Sequence, residues 1–221
     1  MHVVIAGGHG KIALRLTAML AGRTDRVTSI IRNPGHRADV EQAGGAPVVL
    51  DLEDMTVDDL AAVLGDADAV VFAAGAGPGS GSARKDTVDR AAAVLLADAA
   101  RTAGVRRYLL ISSTGVDDPP RPGTDEVWAA YLTAKKAAEE AIRESGLEWT
   151  ILRPGQLTDE PGTGRVLLAP PPVERADVTR DDTAAVLVAL LDTPATAGRI
   201  LELRAGDTAI SAAVHEYQRS T

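Results

Sequence analysis

Two groups of residues in this chain have the types and spacing to do chemistry. The first is Gly7-Gly8-His9-Gly10-Lys11-Ile12-Ala13. It follows an apolar run, Val3 to Ala6, and leads into Ile12, Leu14, Leu16, Met19 and Leu20 at helical spacing, the order strand, tight turn, helix. A diphosphate can sit on such a turn. Gly7 supplies backbone freedom, Gly10 lets the main chain approach a phosphate with no Cβ in the way, and small Ala13 lets the helix pack close to the strand. Free N–H groups at the helix start, aided by the helix dipole, receive the anion. The second group is Tyr131 and Lys135, four residues apart on a predicted helix, so that both project from one face. An ammonium beside a phenol favours phenolate and draws its pKa from about 10 toward neutrality, so the tyrosine can donate a proton to a carbonyl oxygen as hydride arrives. Ser112 and Ser113 end a predicted strand upstream, where a hydroxyl can hold the same oxygen.

The elements that must position these groups alternate along the chain. The first helix ends near Ala21-Gly22. Arg26 to Ile31 reads as a second strand, Asn33-Pro34-Gly35 as the loop after it, and a short helix around Arg37 to Ala43 leads to a third strand, Pro47 to Asp51. Val57 to Leu64 is helical, and a fourth strand, Ala69 to Ala74, runs into Gly75-Ala76-Gly77-Pro78-Gly79. Long helices over about Thr87 to Ala103 and Asp125 to Glu144 precede strands Tyr108 to Ser112 and Trp149 to Leu152, with a break at Pro154-Gly155. Such βαβ units imply a parallel sheet with helices on both faces.

Beyond Gly155 the pattern loosens. A short strand (Arg165 to Leu168), Pro170-Pro171-Pro172, a helix (Asp181 to Leu191), a strand (Ile200 to Leu203) and a helical tail from about Ser211 follow. No linker or repeat divides the chain, so residues 1–221 read as one domain. Segments 156–180 and 204–221 are expected on the substrate side, because ligands of open α/β sheets bind beyond the carboxyl ends of the strands.

Composition bounds the function. A length of 221 residues suits one large α/β domain, and 45% hydrophobic residues with 24% charged and mean hydropathy near zero describe a globular chain. Six aromatic residues leave the core to Ala, Val, Leu and Ile. No run of about 18 apolar residues spans a bilayer and no charged-then-apolar leader precedes the first strand, so the expectation is a cytoplasmic protein without a membrane partner. Zero cysteines exclude disulfides, thiolate metal sites and a cysteine nucleophile. A formal charge of -8 argues against nucleic acid as a partner. His2, His9, His36 and His215 are too scattered to suggest a metal site, and none is expected.

Gly7 to Ala13, Ile111-Ser112-Ser113, Tyr131-Leu132-Thr133-Ala134-Lys135 and Leu152-Arg153-Pro154-Gly155-Gln156-Leu157-Thr158 occur in the order of the short-chain dehydrogenase/reductase superfamily. The chain resembles its atypical branch of NAD(P)-binding proteins, often labelled NAD-dependent epimerase/dehydratase, near the NmrA-like and flavin reductase groups. The resemblance covers essentially the whole chain. It implies a Rossmann-type doubly wound parallel sheet of the α/β class with a short C-terminal substrate-binding extension. It places Gly7, Gly10 and the backbone of His9, Lys11 and Ile12 around the cofactor diphosphate, with Asp51 and Leu52 beside the adenine. Ala73, Ala74 and Gly75 would lie under the ribose, and Ser112 joins the same wall. Ser113, Tyr131 and Lys135 match the Ser-Tyr-Lys positions, while Pro154, Gly155 and Leu157 pass the nicotinamide. Asp89 stands where the fuller tetrad carries Asn, and a carboxylate there can pair with Lys135 and raise its pKa.

NAD-selective members of this superfamily place Asp or Glu at the end of the second strand, where it accepts bonds from the adenosine ribose. This chain has Arg32 there, with Asn33 and Arg37 close by. A guanidinium matches a 2′-phosphate in bidentate fashion, so NADP(H) is expected over NAD(H). The leading expectation is an NADP(H)-dependent oxidoreductase that reduces a carbonyl, conjugated carbonyl or quinone of a small molecule, with Tyr131 as proton donor. Epimerase or dehydratase chemistry and a non-catalytic NmrA-like NADP(H) sensor are the alternatives, and the oligomer is a monomer or homodimer. Other prominent residues read as structural. Trp128 and Trp149 read as packing residues, though Trp128 can border the substrate, and Asp51, Glu53, Asp54, Asp58 and Asp59 read as helix caps and a solvated face. Asp159-Glu160-Pro161-Gly162 reads as a turn at the pocket rim, and His9 as facing solvent or cofactor.

Overall fold

The apolar runs of the central strands have no polar face to offer water, and a parallel sheet covered by helices on both sides satisfies them. The computed structural model describes residues 1–75, 85–118 and 123–218. Its strands are β1 (His2–Ala6), β2 (Arg26–Ile31), β3 (Ala46–Val49), β4 (Ala69–Phe72), β5 (Arg107–Ile111), β6 (Glu148–Pro154), β7 (Gln156–Thr158), β8 (Arg165–Ala169), β9 (Asp177–Thr179), β10 (Arg199–Ala205) and β11 (Thr208–Ala209). Nine of them form one sheet in the order β11-β8-β10-β6-β5-β4-β1-β2-β3. From β3 to β10 every pairing is parallel, and β8 and β11 close the far edge antiparallel. The fold is a Rossmann-type, mostly parallel sheet with helices on both faces.

Alternate residues of each strand feed two cores. Val3, Ile5, Leu109, Ile111 and Leu152 belong to the core with α1 (Lys11–Gly22) and α6 (Arg180–Leu191). Val4, Ala6, Tyr108, Leu110 and Ile151 belong to the other, with α3 (Val57–Leu64), α4 (Ala92–Ala103) and α5 (Glu126–Glu144). The short α2 (Arg37–Gln42) leads into β3, and α7 (Ile210–His215) packs Ala213 and Val214 into the first core against α6 and β8. The acidic run after β3 caps a helix as expected: Thr56 and Asp59 form a reciprocal capping box on α3. Among the described residues, no helix is long and apolar enough to cross a membrane.

Several boundaries differ from the sequence reading. The third and fourth strands stop at Val49 and Phe72, because the residues after them turn out at the carboxyl edge of the sheet instead of continuing the ladder. β6 runs on through Pro154, which lacks an N–H but whose carbonyl accepts from Thr114 N at 3.1 Å. The start of the fourth long helix is a π-helical turn, Lys85–Ala91. β7 and β9 pair in parallel as a separate two-stranded sheet that three-residue strands could not announce by periodicity. Residues 76–79 of the glycine run and part of the loop before α5 lie outside the described residues.

The C-terminal extension is fastened by Arg153, which is 3% exposed on β6. Its guanidinium donates to both oxygens of buried Glu139 on α5, at 2.9 and 2.6 Å, and to Asp117 Oδ2 at 2.6 Å. Glu202 Oε1 on β10 lies 3.7 Å away, and the other oxygen of Glu202 accepts from Val173 N at 2.7 Å. Burial works to lower the Arg153 pKa, but Glu139 and Asp117 raise it overall. Asp117 is in turn held below the usual carboxylate range, against its own partial burial, by Arg153 and Lys136.

Arg153→Met would leave the Glu139 carboxylate buried without its cation, and equilibrium urea unfolding should show a loss of about 3–5 kcal/mol at neutral pH. The sign of its pH dependence follows from Asp117. A lowered folded pKa gives stability that is full above the unfolded value near 4 and is lost as pH falls through the folded value. The advantage of the wild type over Arg153→Met should therefore shrink in acid.

Candidate functional site

The strand order reverses between β1 and β4, and beyond their carboxyl ends the connections diverge to opposite faces and leave a crevice. A cavity of about 610 Å³ occupies it. Its walls come from the turn after β1 (Gly7, His9, Gly10), the segment after β2 (Arg32, Asn33, His36), the segment after β3 (Asp51, Leu52, Glu53) and that after β4 (Ala73, Ala74, Gly75), with Val88 and Ala92 closing one side. Gly7 holds φ +79°, and a Cβ there would stand 2.5 Å from Ala74 Cα, so the turn needs glycine on both counts. Gly10 occupies the N-cap of α1 and gives it no side-chain cap, whereas Thr56, Asp125 and Thr179 cap α3, α5 and α6. The first N–H groups of α1 are thus left for an anion.

At the outer rim the Arg32 guanidinium lies 3.6 Å from Glu53 Oε2 and 4.0 Å from Asp51 Oδ2. The acidic residues read from the sequence as a solvated face therefore include two that line the cavity beside its cation. The histidines are also closer than their scatter suggested. His9 and His36 stack with ring centroids 3.5 Å apart and planes 11° apart, and His9 Nε2 lies 2.7 Å from Asp39 Oδ2. The pair is 27 positions apart in sequence, and only the βαβ geometry brings it together. Arg37 lies outside the cavity lining.

Lys11 turns away from this cavity. Its Nζ donates to Asp159 Oδ2 at 2.5 Å, and Asp159 also meets Arg180 at 3.0 Å and Arg15 at 3.6 Å. The Lys11 hydrogen bond leads these cations in holding Asp159 below its ordinary carboxyl pKa. Asp159, read as part of a rim turn, is thus a strap onto the first turn of α1. Ile12 and Leu157 pack against the first core. Pro154 and Gly155 sit at the carboxyl end of β6 outside the cavity lining, with Gly155 N donating to Leu203 O at 2.8 Å.

The second group assembles next to the first. Lys135, 4% exposed, places Nζ 3.3 Å from Asp89 Oδ1 and donates to Ile111 O at 3.1 Å. The same Nζ lies 5.8 Å from the ring centroids of Phe72 and of Tyr131. Asp89, fully buried, comes from the π-helical turn, a widened form of helix often found at functional positions. Its Oδ1 is 3.1 Å from where a Cβ on Gly75 would stand, so the cavity wall and the Lys135 pair share one carboxylate. Ser113 Oγ donates to Thr114 O at 3.1 Å. Trp128 corrects the packing expectation. It is 46% exposed because the first turn of α5 projects past the core, and it stacks on Tyr131 at 5.1 Å between centroids. Trp149 does pack against the core. Among the described residues, no cluster of three or more His, Cys, Asp or Glu could hold a metal.

The donor set fits a dinucleotide. A glycine cradle faces an uncapped helix start, while Ser112, buried at the end of β5 and outside the cavity lining, has no hydrogen-bond partner for its Oγ among the described residues. Fold and site together define a Rossmann-type dinucleotide-binding protein. The model of the NAD(P)H-binding family matches residues 7–194, and the chain belongs to that family. It is 34% identical over 215 residues to YhfK of Bacillus subtilis, an uncharacterized sugar epimerase by name, covering 97% of this chain and 99% of that protein. A Bacillus halodurans structure assigned to the NAD-dependent epimerase/dehydratases superposes with a TM-score of 0.89 at 32% identity, over 98% of this chain and 99% of the other. The oxidoreductase YlbE of Lactococcus lactis superposes at 0.86 with 27% identity, over 99% and 97%. The chain is thus an NAD(P)-binding protein of the epimerase/dehydratase-like, short-chain dehydrogenase/reductase type.

Ser112→Ala separates a binding role from a structural one. Removing a buried hydroxyl that has no partner among the described residues should leave the urea midpoint unchanged or raise it, while fluorescence titration should show weaker dinucleotide binding.

Proposed function

We propose that the chain is an NADP(H)-dependent, cytoplasmic oxidoreductase that reduces the carbonyl, conjugated carbonyl or quinone group of a small molecule. The observation that carries this reading is the buried Asp89–Lys135 pair, which sits against the Tyr131 ring and touches the cavity wall at Gly75. Gly7, Gly10 and the start of α1 would hold the diphosphate, Asp51 and Leu52 the adenine side, and Ala73 to Gly75 with Ser112 the inner wall. The reduced nicotinamide, when bound, supplies the hydride. Tyr131 delivers the proton to the substrate oxygen, so a carbonyl leaves as an alcohol. Ser113 orients that oxygen, and Trp128 covers the open side of the Tyr131 ring. Asp89 and the Ile111 carbonyl fix the Lys135 ammonium beside the ring, so that Lys135 acts by position and charge and not as a mobile acid. Pro154, Gly155 and Leu157 shape the wall beyond.

Tyr131→Phe should bind NADPH as the wild type does and lose about 10²- to 10⁴-fold in turnover of a carbonyl or quinone substrate. Full turnover in that variant would remove Tyr131 as the donor. Binding of NADPH without its oxidation across such a panel would favour a sensor. A second reading, epimerase or dehydratase chemistry, is favoured by the name of the Bacillus subtilis relative. It is recognised by substrate conversion without net NADPH consumption.

The choice of NADP(H) rests on Arg32 at the rim. Arg32→Asp should weaken NADPH binding by about 10- to 100-fold, the worth of one or two hydrogen bonds to a charged group, and leave NADH nearly unchanged. Equal losses for both would overturn the assignment.

A further inference from the structure

We propose that the stacked His9–His36 pair is a proton-operated clamp for the phosphate that distinguishes NADP(H) from NAD(H), so that binding NADPH takes up a proton that binding NADH does not. The inference rests on the reading that the cavity takes the adenosine end of the dinucleotide.

Formal charge at the rim motivates it. Arg32 at the end of β2 and Asp51 and Glu53 after β3 line the cavity with the two rings, and α2 adds one charge of each sign outside the lining, Arg37 next to His36 and Asp39 bonded to His9. Two carboxylates therefore stand against one guanidinium in the lining, and both already lie near it. With both imidazoles neutral, a phosphate dianion would enter a rim of net negative charge. One proton gained by the ring pair cancels that charge.

The hydrogen bonds indicate how the protons are arranged before the ligand arrives. Asn33 Oδ1 accepts from Gly35 N at 2.9 Å, which turns its Nδ2 toward His36 Nε2 at 3.4 Å. An amide N–H₂ only donates, so that nitrogen of His36 is placed to accept. His9 instead presents Nε2 to the Asp39 carboxylate, the partner of a donor. Two parallel rings 3.5 Å apart can share one positive charge at modest cost, but a second repels the first unless an anion sits beside them. A 2′-phosphate supplies that anion, and histidine is the side chain whose charge changes between pH 5 and 8. A ribose 2′-hydroxyl does not supply it. Both rings line the cavity, so the phosphate needs no rearrangement of the backbone to reach them.

The test is titration calorimetry of the full chain with NADPH and with NADH at about pH 7.5, in two buffers of different ionisation heat. At that pH the phosphate, with its second pKa near 6, is already a dianion and contributes no uptake of its own. Wild type should take up close to one proton per NADPH and none per NADH. His36→Asn, a partly exposed position whose loss does not open the core, should abolish the uptake and weaken NADPH about tenfold with NADH unchanged. Asp39→Asn, which removes the carboxylate that holds the proton on His9, should raise the uptake. NADPH bound without proton uptake, or with the same uptake in His36→Asn, overturns the clamp and leaves the cofactor reading standing. Failure of NADPH to bind overturns both.

Discussion

The contact on which the rest of the structure depends is the approach of two backbones, Gly7 after β1 and Ala74 after β4. A Cβ on Gly7 would lie 2.5 Å from Ala74 Cα and 2.6 Å from its nitrogen, so at the point where the strand order reverses the two exits touch main chain to main chain. That closeness lays the glycine turn directly on the Ala73–Gly75 wall. Gly75 leaves space for the Asp89 carboxylate, Asp89 fixes Lys135, and Lys135 reaches the Ile111 carbonyl at the end of β5. One backbone contact thereby sets the distance between the anion-receiving turn and the helix that carries Tyr131.

What could be read from the sequence is what strand ends dictate. In a parallel sheet any residue just past the carboxyl end of a central strand faces the crevice, so Arg32, Asn33, Asp51, Leu52 and Ala73 to Gly75 reached the cavity by position alone. The Tyr131–Lys135 offset and the glycine turn are local geometry and survive folding for the same reason. Side-chain direction is not local. Lys11 belongs to the right turn, yet its ammonium goes to Asp159, 148 positions along the chain, where no spacing rule reaches. The stacked histidines belong to two different crossovers, and Trp128 was expected to pack because tryptophan usually does, although it heads a helix that projects past the sheet. Strands of three residues, β7 and β9, carry too few positions to show a period.

The extension beyond β6 is held in two unequal ways. Its base is tied by Arg153 to α5, β10 and the segment near Val173 through charges that are almost fully buried. Its tip, around Asp159, reaches the first turn of α1 through pairs whose side chains are about half exposed. Pairs of that kind contribute roughly 0–1 kcal/mol each and weaken with salt. The base therefore moves with the sheet, while the tip can leave α1 at little cost.

Electrostatics imposes the remaining constraint, because a chain of formal charge -8 must receive a polyanion. At the glycine turn the answer is neutral: peptide N–H groups at the α1 start carry positive potential without any net charge, so the acidic surface does not have to be offset there. At the rim the charges are explicit. Asp51 and Glu53 are the acceptors that a ribose 2′-hydroxyl would use, and Arg32 between them is the donor that a 2′-phosphate would use. The rim thus holds groups of both kinds side by side. The two imidazoles stacked beside Asn33 and Asp39 stand on the same rim, so the proposed clamp would act where these opposed groups meet.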